Sequence, residues 1–222
     1  MSRLFFLSLS GNMENNIVMQ ALSINTDSSK VVDELFALPA IKVDCVNWVE
    51  YPYKPFVTVR LGYSSSALAV LFEVEEEHLR AVTMEDCGPV WEDSCCEFFM
   101  ADPAGNGYFN FEMNCVGTLL AAKRQSQTVF EFLSETQLAE IQRFSSLPHA
   151  PIDSVGSGQT YWIAEVIPFS ILGLKEAPKS IRANFYKCGD KCKTPHYLSM
   201  APINTPSPFF HCPEFFQEVK FI

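Results

Sequence analysis

From Phe56 to Leu61 the chain alternates apolar and polar side chains, with Val57, Val59 and Leu61 separated by Thr58 and Arg60. A second apolar set follows at Leu68, Val70, Phe72 and Val74. A period of two marks a strand with one face against a core, so these segments read as consecutive strands joined by a turn from Gly62 to Ser66. The same pattern predicts strands over 97–101, 108–115, 117–123, 161–167 and 181–187, each bounded by Gly, Pro, Asn or Asp. A helix is predicted after Ser134, because Ser134 and Gln137 fit a capping box and Leu138, Ile141 and Phe144 recur roughly once per turn. A shorter helical pattern runs from Val31 to Leu38. Short strands at this spacing predict an all-β fold, a two-sheet antiparallel sandwich with one or two short helices.

With 222 residues, 48% of them apolar, the chain can close one core. It is expected to form a single domain over 1–222, with residues 1–20 as an irregular N-terminal extension. Twenty-six acidic against 16 basic residues give a net charge of −10, which repels a phosphate backbone and argues against a nucleic-acid partner. The apolar run from Leu4 to Leu9 is shorter than a secretory h-region or a membrane span. That predicts a soluble protein with no membrane span. The eight cysteines are read mainly as plain thiols. Cys95 and Cys96, being adjacent in a strand, must face opposite sides. Cys188 and Cys192 flank a turn whose spacing suits a metal or a disulfide, but no second Cys/His pair follows.

Candidate chemistry concentrates on two segments. In the strand over 108–115, Phe109, Phe111, Met113 and Cys115 share one face, and Tyr108, Asn110, Glu112 and Asn114 share the other. The second face aligns a ring, two amides and a carboxylate, groups able to grip sugar hydroxyls. Just upstream, Trp91 sits before a strand that carries Glu97, where a loop can leave its ring exposed. Flat aromatic rings stack on the apolar C–H face of a sugar. Trp48 is expected under the Tyr51–Tyr53 loop, and Trp162 on the core face with Ala164 and Val166.

The runs Val90-Trp91-Glu92-Asp93-Ser94-Cys95-Cys96-Glu97-Phe98-Phe99 and Tyr108-Phe109-Asn110-Phe111-Glu112-Met113-Asn114-Cys115-Val116-Gly117-Thr118 resemble family 9 carbohydrate-binding modules and their DOMON-like relatives. Asn47-Trp48, Tyr53-Lys54-Pro55, the segment from Ala183 to Asp190 and that from Phe210 to Phe216 are similar to the free-standing, gut-bacterial branch. The resemblance runs from about residue 40 to the end. It implies a jelly-roll-like, two-sheet sandwich that binds a mono- or oligosaccharide, often by its reducing end, without catalysis, in support of polysaccharide utilisation. The sugar would lie between two aromatic rings with carboxylates and amides bonding its hydroxyls. Carried over by position, Trp91 is the first ring and Phe169 the second. Glu97, Glu112 and Asn114 are the polar contacts, and Tyr108, Asn184, Lys187 and His211 are further members of the face. No cofactor is expected; some members hold structural calcium, for which Asp93, Asp102 and Asn106 offer oxygens, although surface charges are the favoured reading and no EF-hand-like loop is present. The resemblance points to an extracytoplasmic protein, whereas the N-terminal sequence points to a cytoplasmic one.

Four positions depart from that branch: Met200, Phe209, Cys212 and Gln217 stand where relatives tend to have Trp, Asp, Arg and Gly. Losing a ring or a charge can cost about 1–3 kcal/mol of ligand affinity, which leaves another ligand, or none, open. A rival reading is a glycoside hydrolase or accessory enzyme that uses Glu97 and Glu112 as its carboxylate pair. No nucleophile elbow, P-loop or H-E-x-x-H motif supports an enzyme, and His78, His149, His196 and His211 are scattered. A heme or redox DOMON module is a third reading, without placeable Met and His ligands, and a protein-interaction domain a fourth.

Overall fold

The computed structural model describes residues 17–21 and 30–222. Fourteen strands follow in chain order: β1 (Ile17–Ala21), β2 (Ile41–Lys42), β3 (Cys45–Val46), β4 (Phe56–Tyr63), β5 (Ala67–Ala81), β6 (Cys95–Ala101) and β7 (Tyr108–Asn114), then β8 (Leu119–Arg124), β9 (Phe130–Phe132), β10 (Gln142–Ser145), β11 (Ile152–Pro168), β12 (Ser180–Cys188), β13 (Tyr197–Ser199) and β14 (Gln217–Phe221). Two short helices, α1 (Val31–Phe36) and α2 (Glu135–Glu140), complete the regular structure with two single turns of 3-10 helix. The alternating segments all became strands, and the first hairpin turn tightened to Ser64–Ser66 because Gly62 and Tyr63 still pair with Ala69 and Leu68.

The strands form one hydrogen-bonded path, β10-β11-β5-β4-β1-β14-β12-β6-β7-β8-β9, with β2 beside β4 and β13 bridging β12 and β3. Pairing is antiparallel except at β1, where Ile17–Met19 run parallel to Val219–Phe221 of β14, and Gln20 and Ala21 run parallel to Gly62 and Tyr63 of β4. The expected pair of separate antiparallel sheets is therefore one continuous mixed sheet, joined through β1. The same strand corrects the reading of residues 1–20 as irregular. Residues 1–16 lie outside the described residues, but 17–20 are a central strand with Met19 fully buried. Five residues are too few for a period to register in sequence.

The two halves of this path share an apolar core. Phe98 stacks on Phe111 and Phe185 at 5.9 and 5.2 Å, and Phe185 meets Phe72 of β5, in the other half, at 6.3 Å. A second cluster covers the opposite face of β6, β7 and β12, where Phe99, Tyr108 and Tyr186 pack under Trp48 and Phe210. Cys96 points into the first cluster and Cys95 into the second, as adjacency in a strand requires. Six of the eight cysteines are buried, and all eight are free thiols.

The α1 helix lays Val31, Val32 and Leu35 on Ala69, Leu71, Ala164 and Val166. Trp162 joins it from the predicted face, edge-on to Phe36 at 5.8 Å. In α2 the Ser134–Gln137 capping box is present, but the helix stops at Glu140 and Ile141 is already extended. Phe144 belongs to β10, whose pairing with Ala164 of β11 overrides the helical spacing. Trp48 is buried, and its indole N–H donates to the Thr205 carbonyl oxygen at 2.9 Å.

Candidate functional site

Period-two geometry places Glu97 and Glu112 directly opposite each other on β6 and β7, within a single cross-strand row Leu120–Glu112–Glu97–Tyr186. Above this row lies a cleft of about 360 Å³. Its floor includes Glu97, Glu112, Leu120, Arg124 and Cys188, and its rim includes Trp91, Asp190 and His211. Five further lining residues are aromatic: Phe130 and Phe132 of the edge strand β9, Tyr197, Phe209 and Phe210.

Trp91 is 39% exposed, as its place at a turn-to-strand junction predicts. It belongs to a 3-10 turn, Val90–Glu92, anchored by the buried Val90. The turn is held by the segment after β12: Asp190 N–H donates to the Trp91 carbonyl at 3.2 Å and Lys191 N–H to that of Glu92 at 3.0 Å. A Lys191–Glu92 ion pair at 2.9 Å adds to this clasp.

The floor is polar but buried. Asn110, Glu112 and Asn114 are all buried, so the face that sequence alone would leave open is covered, with His211 and Phe216 on Tyr108 at one end and Thr83 and Asp93 on Asn114 at the other. A hydrogen-bond chain runs through it: Arg124 Nε donates to Asn110 Oδ1 at 2.7 Å, and Asn110 Nδ2 donates to Glu112 Oε1 at 2.7 Å. Gly107, at φ +106°, lets the β6–β7 hairpin pass the Arg124 carbonyl, which any Cβ there would strike. Burial lifts Glu112 to about 7, opposed by the Asn110 bond and the Arg124 charge. Burial also pushes Glu97 well above the usual carboxylate range, and the neighbouring Glu112 adds to it. His211, lowered to about 4 by burial and then by Arg124, is neutral, and its Nδ1 lies 2.9 Å from the Tyr108 hydroxyl.

Other predicted members are elsewhere. Phe169 is buried in the shared core, at the end of β11, and does not reach the cleft. Lys187 follows the parity of Phe185, so it points to the opposite face of β12, into the interior. Asn184 lies on the cleft face but is buried and spent on backbone, bonding Phe185 N–H, Ala201 N–H and the Ala201 carbonyl. Asn114 likewise serves its own turn: Oδ1 accepts from Val116 and Thr118 N–H, and Nδ2 donates to Thr83 O and Asp93 Oδ2. Tyr108 supports His211 from beneath.

Asp93, expected as a surface charge, is buried and accepts from Val82 and Thr83 N–H. Asp102 is buried too, paired with Lys123 at 2.8 Å. The two stand beyond opposite ends of the seven-residue β6, which alone spans roughly 20 Å, and cannot share an ion. Of the departing positions, Phe209 lines the cleft, while Met200 packs against the core and Cys212 is buried. Sequence reading missed Arg124, Phe130 and Phe132. Arg124 could have been found by extending the predicted strand one residue, on the parity of Leu120 and Ala122.

A family model for carbohydrate-binding family 9 matches residues 30–221. The chain belongs to carbohydrate-binding family 9. Within family 9 terms, the Trp91 turn and the β6–β7 floor are the segments that carried the resemblance. The structure is similar to that of a candidate carbohydrate-binding protein from Bacteroides uniformis ATCC 8492, with 34% identity, a TM-score of 0.85, and coverage of 92% of this chain and 97% of that one. It shares its fold with a family 9 module of Caldicellulosiruptor kristjanssonii, solved with glucose (11% identity, TM-score 0.59, coverage 93% and 94%) and with cellotriose (13% identity, TM-score 0.62, coverage 93% and 93%). No curated protein matches the chain. Among the described residues no helix is long and apolar enough to cross a membrane.

Proposed function

We propose that this chain is a non-catalytic, lectin-like binder of mono- or oligosaccharides that works in polysaccharide utilisation, with the sugar seated in the Trp91 cleft. The observation that carries the reading is an exposed indole standing over a floor of buried, hydrogen-bonded polar groups. The ring offers a stacking surface, and the floor offers Glu112 and neutral His211 as acceptors and Glu97 as a further carboxyl partner for sugar hydroxyls. Phe209, rather than Phe169, is the second ring. The family 9 module of C. kristjanssonii was solved with glucose and with cellotriose, which makes glucose and short β-glucans the first ligands to try. The two halves, facing each other across one core, act as the two layers of a sandwich that holds this outer face rigid.

A hydrolase would place its two carboxyls on either side of the scissile bond. Glu97 and Glu112 instead rise as neighbours from one wall, in register on adjacent strands. This geometry supports binding rather than cleavage, and no reducing sugar should be released from glucans or xylans. Sustained release that disappears in both Glu97→Gln and Glu112→Gln would reverse that reading.

Calorimetric titration with glucose, cellobiose and cellotriose tests the proposal. Stacking on an indole contributes on the order of 1–3 kcal/mol, so Trp91→Ala should weaken binding about tenfold or more with little change in melting temperature. Tryptophan emission should shift on binding in the parent protein and stay still in the variant. An affinity indifferent to Trp91→Ala would show that the sugar binds outside the cleft.

A further inference from the structure

One row beyond the glutamates, Cys95 of β6 and Cys188 of β12 are direct cross-strand partners on the cleft face. The Cys188 thiol donates to Glu97 Oε1 at 3.0 Å. The two sulfurs and a Glu97 carboxyl oxygen all lie within 4.8 Å of one another. Cys188 and Glu97 open onto the cleft, and Cys95 closes the cluster from below. We propose that Cys95, Cys188 and Glu97 form a site for a thiophilic divalent cation such as Zn²⁺, with its fourth position open to the cleft.

Three observations converge on a cation. The donor set, two sulfurs and one carboxyl oxygen, suits a borderline-soft ion that takes four ligands, and a site with three protein ligands keeps one position for water or an incoming group. The cleft carries Glu97, Glu112 and Asp190 against Arg124, and the Lys187 ammonium, which donates to the Cys188 carbonyl at 2.8 Å from the other face of β12, is balanced by Glu76 at 3.0 Å. Arg124 is already committed to Asn110 Oδ1 and the Gln127 carbonyl. The cluster also stands on two paired strands rather than on a loop, so its donors are held together before any ion arrives. The ion is held by two thiolates and the Glu97 carboxylate, a complex of net charge −1 for a divalent cation. Because a thiol and a carboxylic acid ligate a cation only after losing their protons, uptake must strengthen as pH rises.

The same two thiols could instead be joined by oxidation, a step that needs an external oxidant and leaves Glu97 without a role. The experiment separates the two. Reduced, chelator-stripped full-length protein is titrated with Cd²⁺, read by its thiolate-to-cadmium charge-transfer absorption, and then with Zn²⁺ against a chromophoric chelator. One equivalent should bind, with two thiolates per ion. Cys95→Ser and Cys188→Ala should each lower affinity at least about 100-fold, and Glu97→Gln about 10-fold to 100-fold. Cys212→Ser, which alters a buried thiol outside the cluster, should leave the titration unchanged. Melting curves confirm that each variant is folded, and the titration of the unmodified protein is decisive even if a variant fails to fold. Absence of saturable binding at one equivalent, full absorption in Cys188→Ala, or a Cys95–Cys188 disulfide in place of metal uptake would each overturn the proposal. No sugar enters this titration, and Trp91→Ala should bind metal normally, so failure here is distinguishable from failure of the carbohydrate reading.

Discussion

Lys187→Ala should destabilise the fold by about 3–5 kcal/mol while leaving sugar affinity of the folded fraction unchanged. The resemblance assigns Lys187 to the sugar face, but its ammonium is fully buried on the other side of β12. It lies 3.0 Å from Glu76 Oε2, donates to the Cys188 carbonyl at 2.8 Å, and donates to His196 Nε2 at 2.9 Å. His196 can accept because its Nδ1 faces the Thr194 carbonyl at 2.9 Å, and because burial, with Lys187 beside it, holds the ring well below its usual pKa. Burial alone would lower the lysine pKa, but the Glu76 carboxylate outweighs it and the net shift is upward. Alanine would leave Glu76 charged and unpaired in the interior, the costly way to break such a pair. Replacing both partners, as in Glu76→Leu with Lys187→Met, should restore much of the loss. Urea unfolding measures this. A loss below about 1 kcal/mol, or a stable variant that no longer binds sugar, would return Lys187 to the cleft.

The second large effect is a pH dependence of stability that belongs to Glu165. This residue shares the face of β11 that carries Ile163 and Ile167 into the core, and it is 3% exposed. Its cross-strand partner Arg143 gives its Nη1 to Asp86, at 2.7 and 2.9 Å from the two carboxylate oxygens. Among the described residues Glu165 Oε2 has no hydrogen-bond partner. Burial raises its pKa to about 8, with Arg143 opposing. The folded protein therefore keeps a proton that the unfolded chain, with its ordinary value of 4.5, has released. Its contribution to stability is fully present below about pH 4.5, declines as pH rises toward about 8, and is level above that. At about 1.4 kcal/mol per pH unit the decline over this span amounts to roughly 5 kcal/mol. Glu165→Gln should flatten the curve. Unfolding midpoints of the two proteins across about pH 5 to 8 give the answer, and parallel curves would mean that Glu165 ionises freely when folded.

Much of this protein can be read from its sequence, because strand parity is local. The alternations at 56–61, 68–74 and 108–115 became β4, β5 and β7 with the expected faces, Cys95 and Cys96 split as adjacency demands, and the place of Trp91 just before a strand foretold its exposure. Parity also holds the reason Lys187 faces away from the cleft: it shares the side of Phe185, and Cys188 the side of Tyr186. What parity cannot say is what covers a face. The polar side of β7 is covered by segments distant in sequence, Tyr108 by His211 and Phe216, roughly a hundred residues on, and Asn114 by Thr83 and Asp93. The row Leu120–Glu112–Glu97–Tyr186 exists only once three strand registers are set, and β1 matters only because both halves of the sheet come to meet it. Local alternation is encoded in a few neighbouring side chains; cover and register depend on contacts between distant segments, and so only the tertiary structure decided them.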